Sequence, residues 1–219
     1  METIIKDQNY WLQLLQLAES GDAEAQWDVA LHYDSGVTFE GNEIVPIDNK
    51  LAYEWTKKAY KNGNIEAGVS YANYLSDGKY CAKNTKKAMR LYEEAMKAGS
   101  LSAAHNLGTE YRDKKDFKTA FSLYKKDETD FSIGMCYYYG IGVAKNKLKA
   151  LKLFKKWLKQ GDCLNGYETD EANYLIGRLY LEGEVVKQSI KKARHYLQLA
   201  DTDYDHRSAQ QILWIIGRK

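Results

Sequence analysis

Residues 129–161 read TDFSIGMCYYYGIGVAKNKLKALKLFKKWLKQG. Thr129 is followed at offsets of four, five and eight by Ile133, Gly134 and Tyr137, and Gly140 comes three residues later. Those offsets lie on one face of a 3.6-residue helix, where the small fifth residue admits a neighbouring helix. The glycine then ends the helix in a left-handed conformation. A second helical face follows at Ala150, Leu153, Phe154 and Trp157 and closes at Gly161. The stretch reads as a hairpin of two helices, A then B.

The same spacing occurs four more times. Helix A returns as Ala25, Val29, Ala30, Tyr33, Gly36; as Ala67, Tyr71, Ala72, Leu75, Gly78; as Ala103, Leu107, Gly108, Tyr111, with Lys114 in the glycine place; and as Ala172, Ile176, Gly177, Tyr180, Gly183. Helix B returns around Ala52, Ala88, Ala120 and Ala193. A short helical hairpin cannot bury its apolar face alone, so such units stack in arrays. The spacing predicts an all-α solenoid of about five helix-turn-helix repeats over 21–63, 64–99, 100–127, 128–161 and 168–203. A capping helix is expected at each end, in 1–20 with Trp11 and Leu14 and in 206–219 with Leu213 and Trp214. The whole of 1–219 is read as one domain.

These residues resemble the Sel1-like repeats, relatives of the tetratricopeptide repeats. The closest correspondence is Gly140-Ile141-Gly142-Val143 with Asn146, Lys149, Ala150, Phe154 and Gly161, and Ala23 to Trp27 also fits. The resemblance implies a right-handed superhelix whose concave surface is lined by the A helices. It also implies an adaptor-like protein, with immunity proteins that neutralise a toxin among the bacterial relatives. The third repeat departs from the pattern, having lost its glycine loop. Extra residues lie around Phe39 to Pro46 and around Cys163 to Tyr167; such insertions arise from drift in loop length or mark a binding face.

Composition narrows the function classes. The chain has 219 residues and a net charge of +2, but 1–110 carry 11 Lys+Arg against 16 Asp+Glu, while 111–219 carry 21 against 14. Three separated cysteines, Cys81, Cys136 and Cys163, have no metal-ligand spacing and read as free thiols. The first ten residues lack a secretion signal, so a cytoplasmic location is expected. Charged or amide side chains interrupt every apolar run, so no membrane span is expected.

No catalytic constellation stands out. His32, His105, His195 and His206 form no HExxH, and neither a phosphate loop nor a GxSxG elbow is present. Gly140-Ile141-Gly142-Val143 follows a helix rather than a strand, so it reads as a turn. Lys149, Lys152, Lys156 and Lys159 share one side of a helix B and form either a solvated face or a docking surface for an acidic protein or nucleic acid. Phe154 and Trp157 fall at buried offsets, which argues against RNA. No catalytic residue, cofactor or metal is expected, and an enzyme would need a site assembled only by folding.

Under tetratricopeptide-like stacking, helix A positions two, six and nine after the first alanine face the groove. The expected protein-binding residues are Trp27, Asp34, Asn73, His105, Arg112, Met135, Tyr138 and Arg178. The chain is read as a non-enzymatic protein-binding module, with a toxin-blocking immunity protein or a signalling or assembly adaptor as its concrete forms. The oligomeric state is left open.

Overall fold

The structure, a computed structural model, describes residues 8–127, 129–160 and 166–217. The expectations placed on Gly161 and Cys163, and on the outermost residues of both caps, lie outside them. The described residues hold twelve helices and one β-hairpin. The A helices are α2 (Ala23–Ser35), α4 (Ile65–Asp77), α6 (Leu101–Asp113), α8 (Asp130–Tyr139) and α10 (Gly166–Glu182). The B helices are α3 (Asn49–Lys61), α5 (Thr85–Lys97), α7 (Phe117–Asp127), α9 (Lys147–Trp157) and α11 (Ile190–Leu199). The caps are α1 (Gln8–Glu19) and α12 (Arg207–Gly217).

Contacts divide the chain into two compact units, Met1–Glu110 and Tyr111–Lys219. In the first, α1 packs on α2, α2 on α3, α3 on α4 and α4 on α5. In the second, α7 packs on α8, α8 on α9, α9 on α10, α10 on α11 and α11 on α12. Within each unit these helices thus pack on their sequence neighbours, as the repeat spacing requires. The core of the second unit gathers Phe131, Leu151, Phe154, Leu175, Ile176, Leu179 and Tyr180, all buried.

One closure recurs in every repeat. The backbone N–H that opens helix B donates to the carbonyl of the framework residue in helix A: Asp48 to Tyr33 (2.8 Å), Asn84 to Leu75 (2.7 Å), Asp116 to Tyr111 (2.9 Å), Asn146 to Tyr137 (2.8 Å) and Ser189 to Tyr180 (3.0 Å). The same five residues cap helix B. Their side chains accept from its first amides, as when Asn146 accepts from Lys149 N at 2.9 Å and Asp48 from Leu51 N at 2.9 Å. Four residues beyond each cap stands a buried alanine: Ala52, Ala88, Ala120, Ala150 or Ala193. In three repeats the lysine before it lies over a helix A tyrosine: Lys87 over Tyr71 (5.0 Å), Lys149 over Tyr137 (4.1 Å) and Lys192 over Tyr180 (5.2 Å). The recurring Lys-Ala pair therefore joins a packing residue to a cation–π contact between the two helices.

Several details differ from the sequence expectation. The first insertion is a β-hairpin, β1 (Val37–Phe39) paired antiparallel with β2 (Asn42–Val45). Its two-residue turn, Glu40 at φ 50° and Gly41 at φ 80°, has the double left-handed conformation that suits a twisted hairpin. Val45 is buried in the cluster of Trp11, Val29 and Trp55, so the insertion contributes to the core. In the third repeat Lys115, at φ 64°, takes the left-handed place expected for Lys114, because α6 runs on to Asp113. The C-terminal cap seats Ala209 and Ile216, whereas Trp214 is 60% exposed instead of covering the array.

Gly142 explains the second glycine of the Gly-x-Gly-Val loop. It has φ 66°, and a Cβ there would be driven into the carbonyl of Phe117, at the start of the preceding helix B. Gly142→Ala is expected to destabilise by about 3 kcal/mol, from left-handed strain plus overpacking against backbone. Gly166→Ala, which meets no atom within 4 Å, serves as the control in thermal melts. Cys136 is fully buried, and burial pushes its thiol up to about 12. Its thiolate is scarce at neutral pH, so a thiol reagent is expected to label it only as the unit unfolds; labelling at the rate of a free thiol would contradict this packing.

Candidate functional site

In the first unit, Asp34 and Asn73 are exposed, while Trp27 and His105 are half-buried. Trp27 packs on the cluster of Trp11, Val29 and Trp55. Asn73 Oδ1 accepts from the Tyr92 hydroxyl at 2.6 Å and from Asn106 Nδ2 at 3.0 Å. Ser76 Oγ donates to the Glu110 carboxylate. Polar side chains therefore link α4 to α5 and α6 on this surface. Burial raises the Tyr74 phenol above its ordinary value, and the Asp34 carboxylate adds to that effect.

In the second unit, Arg112 is exposed and pairs with Asp113 at 3.0 Å, where solvent leaves such a pair little energy. Met135 is half-buried against the core. Tyr138 is 5% exposed and meets Tyr139 edge-on at 4.8 Å, so its ring is chiefly a core element. Arg178 pairs with Glu182 at 3.0 Å, one turn on, and its guanidinium lies 5.9 Å from the centre of the Tyr174 ring. Lys147 joins the group by bonding Glu182 at 2.9 Å and Glu184 at 2.6 Å. Those two hydrogen bonds hold its ammonium above the ordinary lysine range. Burial raises Tyr138, with Glu182 adding to the rise and Arg178 and Lys147 opposing it.

The structure thus brings Tyr138 and Arg178 into one cluster, and it sets Asn73 in a separate polar network. Arg178 has its charge met by Glu182, so reversing it would place two carboxylates one turn apart. Glu171 and His206 form another near pair, at 3.6 Å. Among the described residues, no group of three or more His, Cys, Asp or Glu is placed to hold a metal, and no helix is long and apolar enough to cross a membrane.

Charge sorts by helix as well as along the chain. In the first unit, α2, α4 and α6 as far as Glu110 carry Glu24, Asp28, Asp34, Glu66, Asp77 and Glu110 and no lysine or arginine. In the second, α9 and α11 carry only basic residues and no Asp or Glu. Asp34, Asp77 and Glu110 stand in the last turns of their helices. A carboxylate there opposes the helix dipole, at a cost of about 0.3–1 kcal/mol each. The division of the chain into acidic and basic halves concealed this second polarity; charge counted helix by helix would have exposed it.

The Sel1 repeat family model matches residues 23–64, 68–100, 101–126, 131–162 and 170–200. Among solved structures, a Sel1 repeat protein from Oxalobacter formigenes is similar at TM-score 0.76 and 19% identity, over 97% of this chain and 85% of that one. A protective antigen of uropathogenic Escherichia coli displaying an SLR fold is similar at TM-score 0.68 and 18% identity; the match spans 95% of this chain and 44% of that one. A Sel1 repeat protein from Klebsiella pneumoniae matches at TM-score 0.57 and 23% identity, over 94% and 98%. At these identities the likeness is one of fold.

Aspartates that oppose the helix dipole can be replaced at a gain in stability. Asp34→Asn with Asp77→Asn is expected to raise stability by about 0.5–1.5 kcal/mol, measured by denaturant unfolding. A loss of stability would mean that these carboxylates hold the fold.

Proposed function

On the premise that the chain belongs to the Sel1 repeat family, we propose that it is a non-enzymatic protein-binding module whose first-unit A helices receive a cationic segment of a partner. Sel1 repeat proteins are protein-interaction modules. The observation that carries the finer reading is the pair Asp34 and Asp77 at the C-termini of α2 and α4, helices that carry no lysine or arginine; on α6, Glu110 shares its last turn with Arg112. Carboxylates placed against the dipole cost stability, and an incoming cation offsets that cost at the moment of binding. Leu31, 42% exposed, supplies apolar contact on α2, and the Asn73–Asn106–Tyr92 network supplies fixed hydrogen-bonding groups.

In its most concrete form the partner is a basic toxin that the chain occludes in the cytoplasm. A signalling or assembly adaptor would use the same face. A neighbouring gene for a secreted toxin favours the first form, and one for a regulator favours the second.

The test is co-purification with mass spectrometry, comparing the native chain with the Asp34→Asn/Asp77→Asn variant. The expected partner is a protein rich in Lys and Arg, released by high salt and lost by at least about tenfold with the folded variant. Equal recovery by the variant would contradict the acid-face reading, and an acidic partner would reverse it.

A further inference from the structure

On the B helices of the second unit the charge pattern is the opposite. α9 and α11 contain no Asp or Glu, and Lys149, Lys152, Lys191, Lys192 and Arg194 are exposed on them. Two lysines of α9 are met by carboxylates from other elements: Lys156 by Asp130 at 2.9 Å, and Lys147 by Glu182 and Glu184. Others rest on tyrosines instead. Lys149 Nζ is 2.7 Å from the Tyr137 hydroxyl, Lys155 Nζ is 2.9 Å from that of Tyr180, and Lys192 lies over the Tyr180 ring at 5.2 Å. A phenol fixes an ammonium in place without cancelling its charge. Lys149, Lys155 and Lys192 are thus a held array of positive charge with no ion pair to a carboxylate among the described residues.

From this face and the helices α2 and α4, which carry acidic residues and no lysine or arginine, we propose that the chain associates with a second copy of itself, the α9–α11 face of one copy docking on the α2–α4 face of the other. Complementary potentials steer and register such an encounter, and every copy carries both surfaces in equal amount. The two faces differ, so the contact is either made twice about a two-fold axis in an isologous dimer or runs head to tail as a heterologous one. A single-stranded nucleic acid fits the basic face less well. It would need free rings on which to stack bases, whereas Tyr180 is only 7% exposed beneath its lysines. The guanidinium of Arg194, the one arginine on α9 or α11, is turned to the Ile216 carbonyl at 3.0 Å. The inference shares the acid face with the function proposed above but requires no other partner.

Sedimentation of the purified, nuclease-treated full chain tests it. Concentration-dependent association is expected in about 50 mM salt and its loss in about 500 mM salt, as charges are screened. Lys152→Glu with Lys191→Glu, and separately Asp34→Lys with Asp77→Lys, should each weaken association by about tenfold or more while the circular dichroism spectrum stays native. Mixing the two charge-reversed variants should restore association, since each regains a complementary face. A wild-type chain that remains monomeric in low salt overturns the proposal and leaves partner capture standing. Association that ignores both variants, or that the mixture fails to restore, also overturns it. Monomeric protein that binds a duplex oligonucleotide through the lysine face would assign that face to nucleic acid instead.

Discussion

The carbonyl of one framework residue near the end of each A helix accepts the backbone N–H that opens the following B helix, at 2.7–3.0 Å in all five repeats. Both groups stand where a helix leaves backbone unpaired, and a buried donor or acceptor left unmade costs about 1–3 kcal/mol. The bond fixes where helix B begins relative to helix A. The cap side chain and the buried alanine four residues on then set its register. Once those are fixed, the connecting loop can vary: the third repeat turns at Lys115, and the first carries a β-hairpin that sends Val45 into the core. Stacking follows from the faces so aligned.

A frame that stacking satisfies leaves the outward positions of the A helices free to differ. The two units use that freedom in different ways. In the second, Arg178 and Lys147 meet Glu182, so the last-turn carboxylate is neutralised within the unit. In the first, Asp34 and Asp77 stand in the last turns of α2 and α4, which carry no lysine or arginine, while Glu110 on α6 accepts from Ser76 and shares its last turn with Arg112. The same helical position is therefore balanced within one unit, whereas at Asp34 and Asp77 it has no ion pair among the described residues. The lysines of α9 and α11 supply the opposite sign on the other helix of the hairpin.

The repeat frame was legible because it depends on spacing. Small and aromatic residues at offsets of four, five and eight mark the buried face, and the helix-ending glycines at Gly36, Gly78, Gly140 and Gly183 have positive φ. The caps Asp48, Asn84, Asp116, Asn146 and Ser189 were also visible four residues before each helix B alanine, although their chemical variety hid them as a class. The groove positions were harder to read. Tyr138 sits at the same offset as Asp34 but is buried, because its ring meets Phe154 across the hairpin and Tyr139 alongside. Offset alone does not tell a ring that fills a gap from a side chain that faces solvent. Nor did the spacing reveal the β-hairpin, whose Glu40-Gly41 turn is a local signal within a loop.

Native-state hydrogen exchange at the amides of Asp48, Asn84, Asp116, Asn146 and Ser189 tests the shared closure most directly. Each lies just before a helix, where an unbonded amide exchanges freely, so the closure is expected to give protection comparable to the interior of the adjoining B helix in all five repeats. Exchange at the rate of an open loop in any of them would show that its hairpin is held by packing alone and that the common frame does not exist.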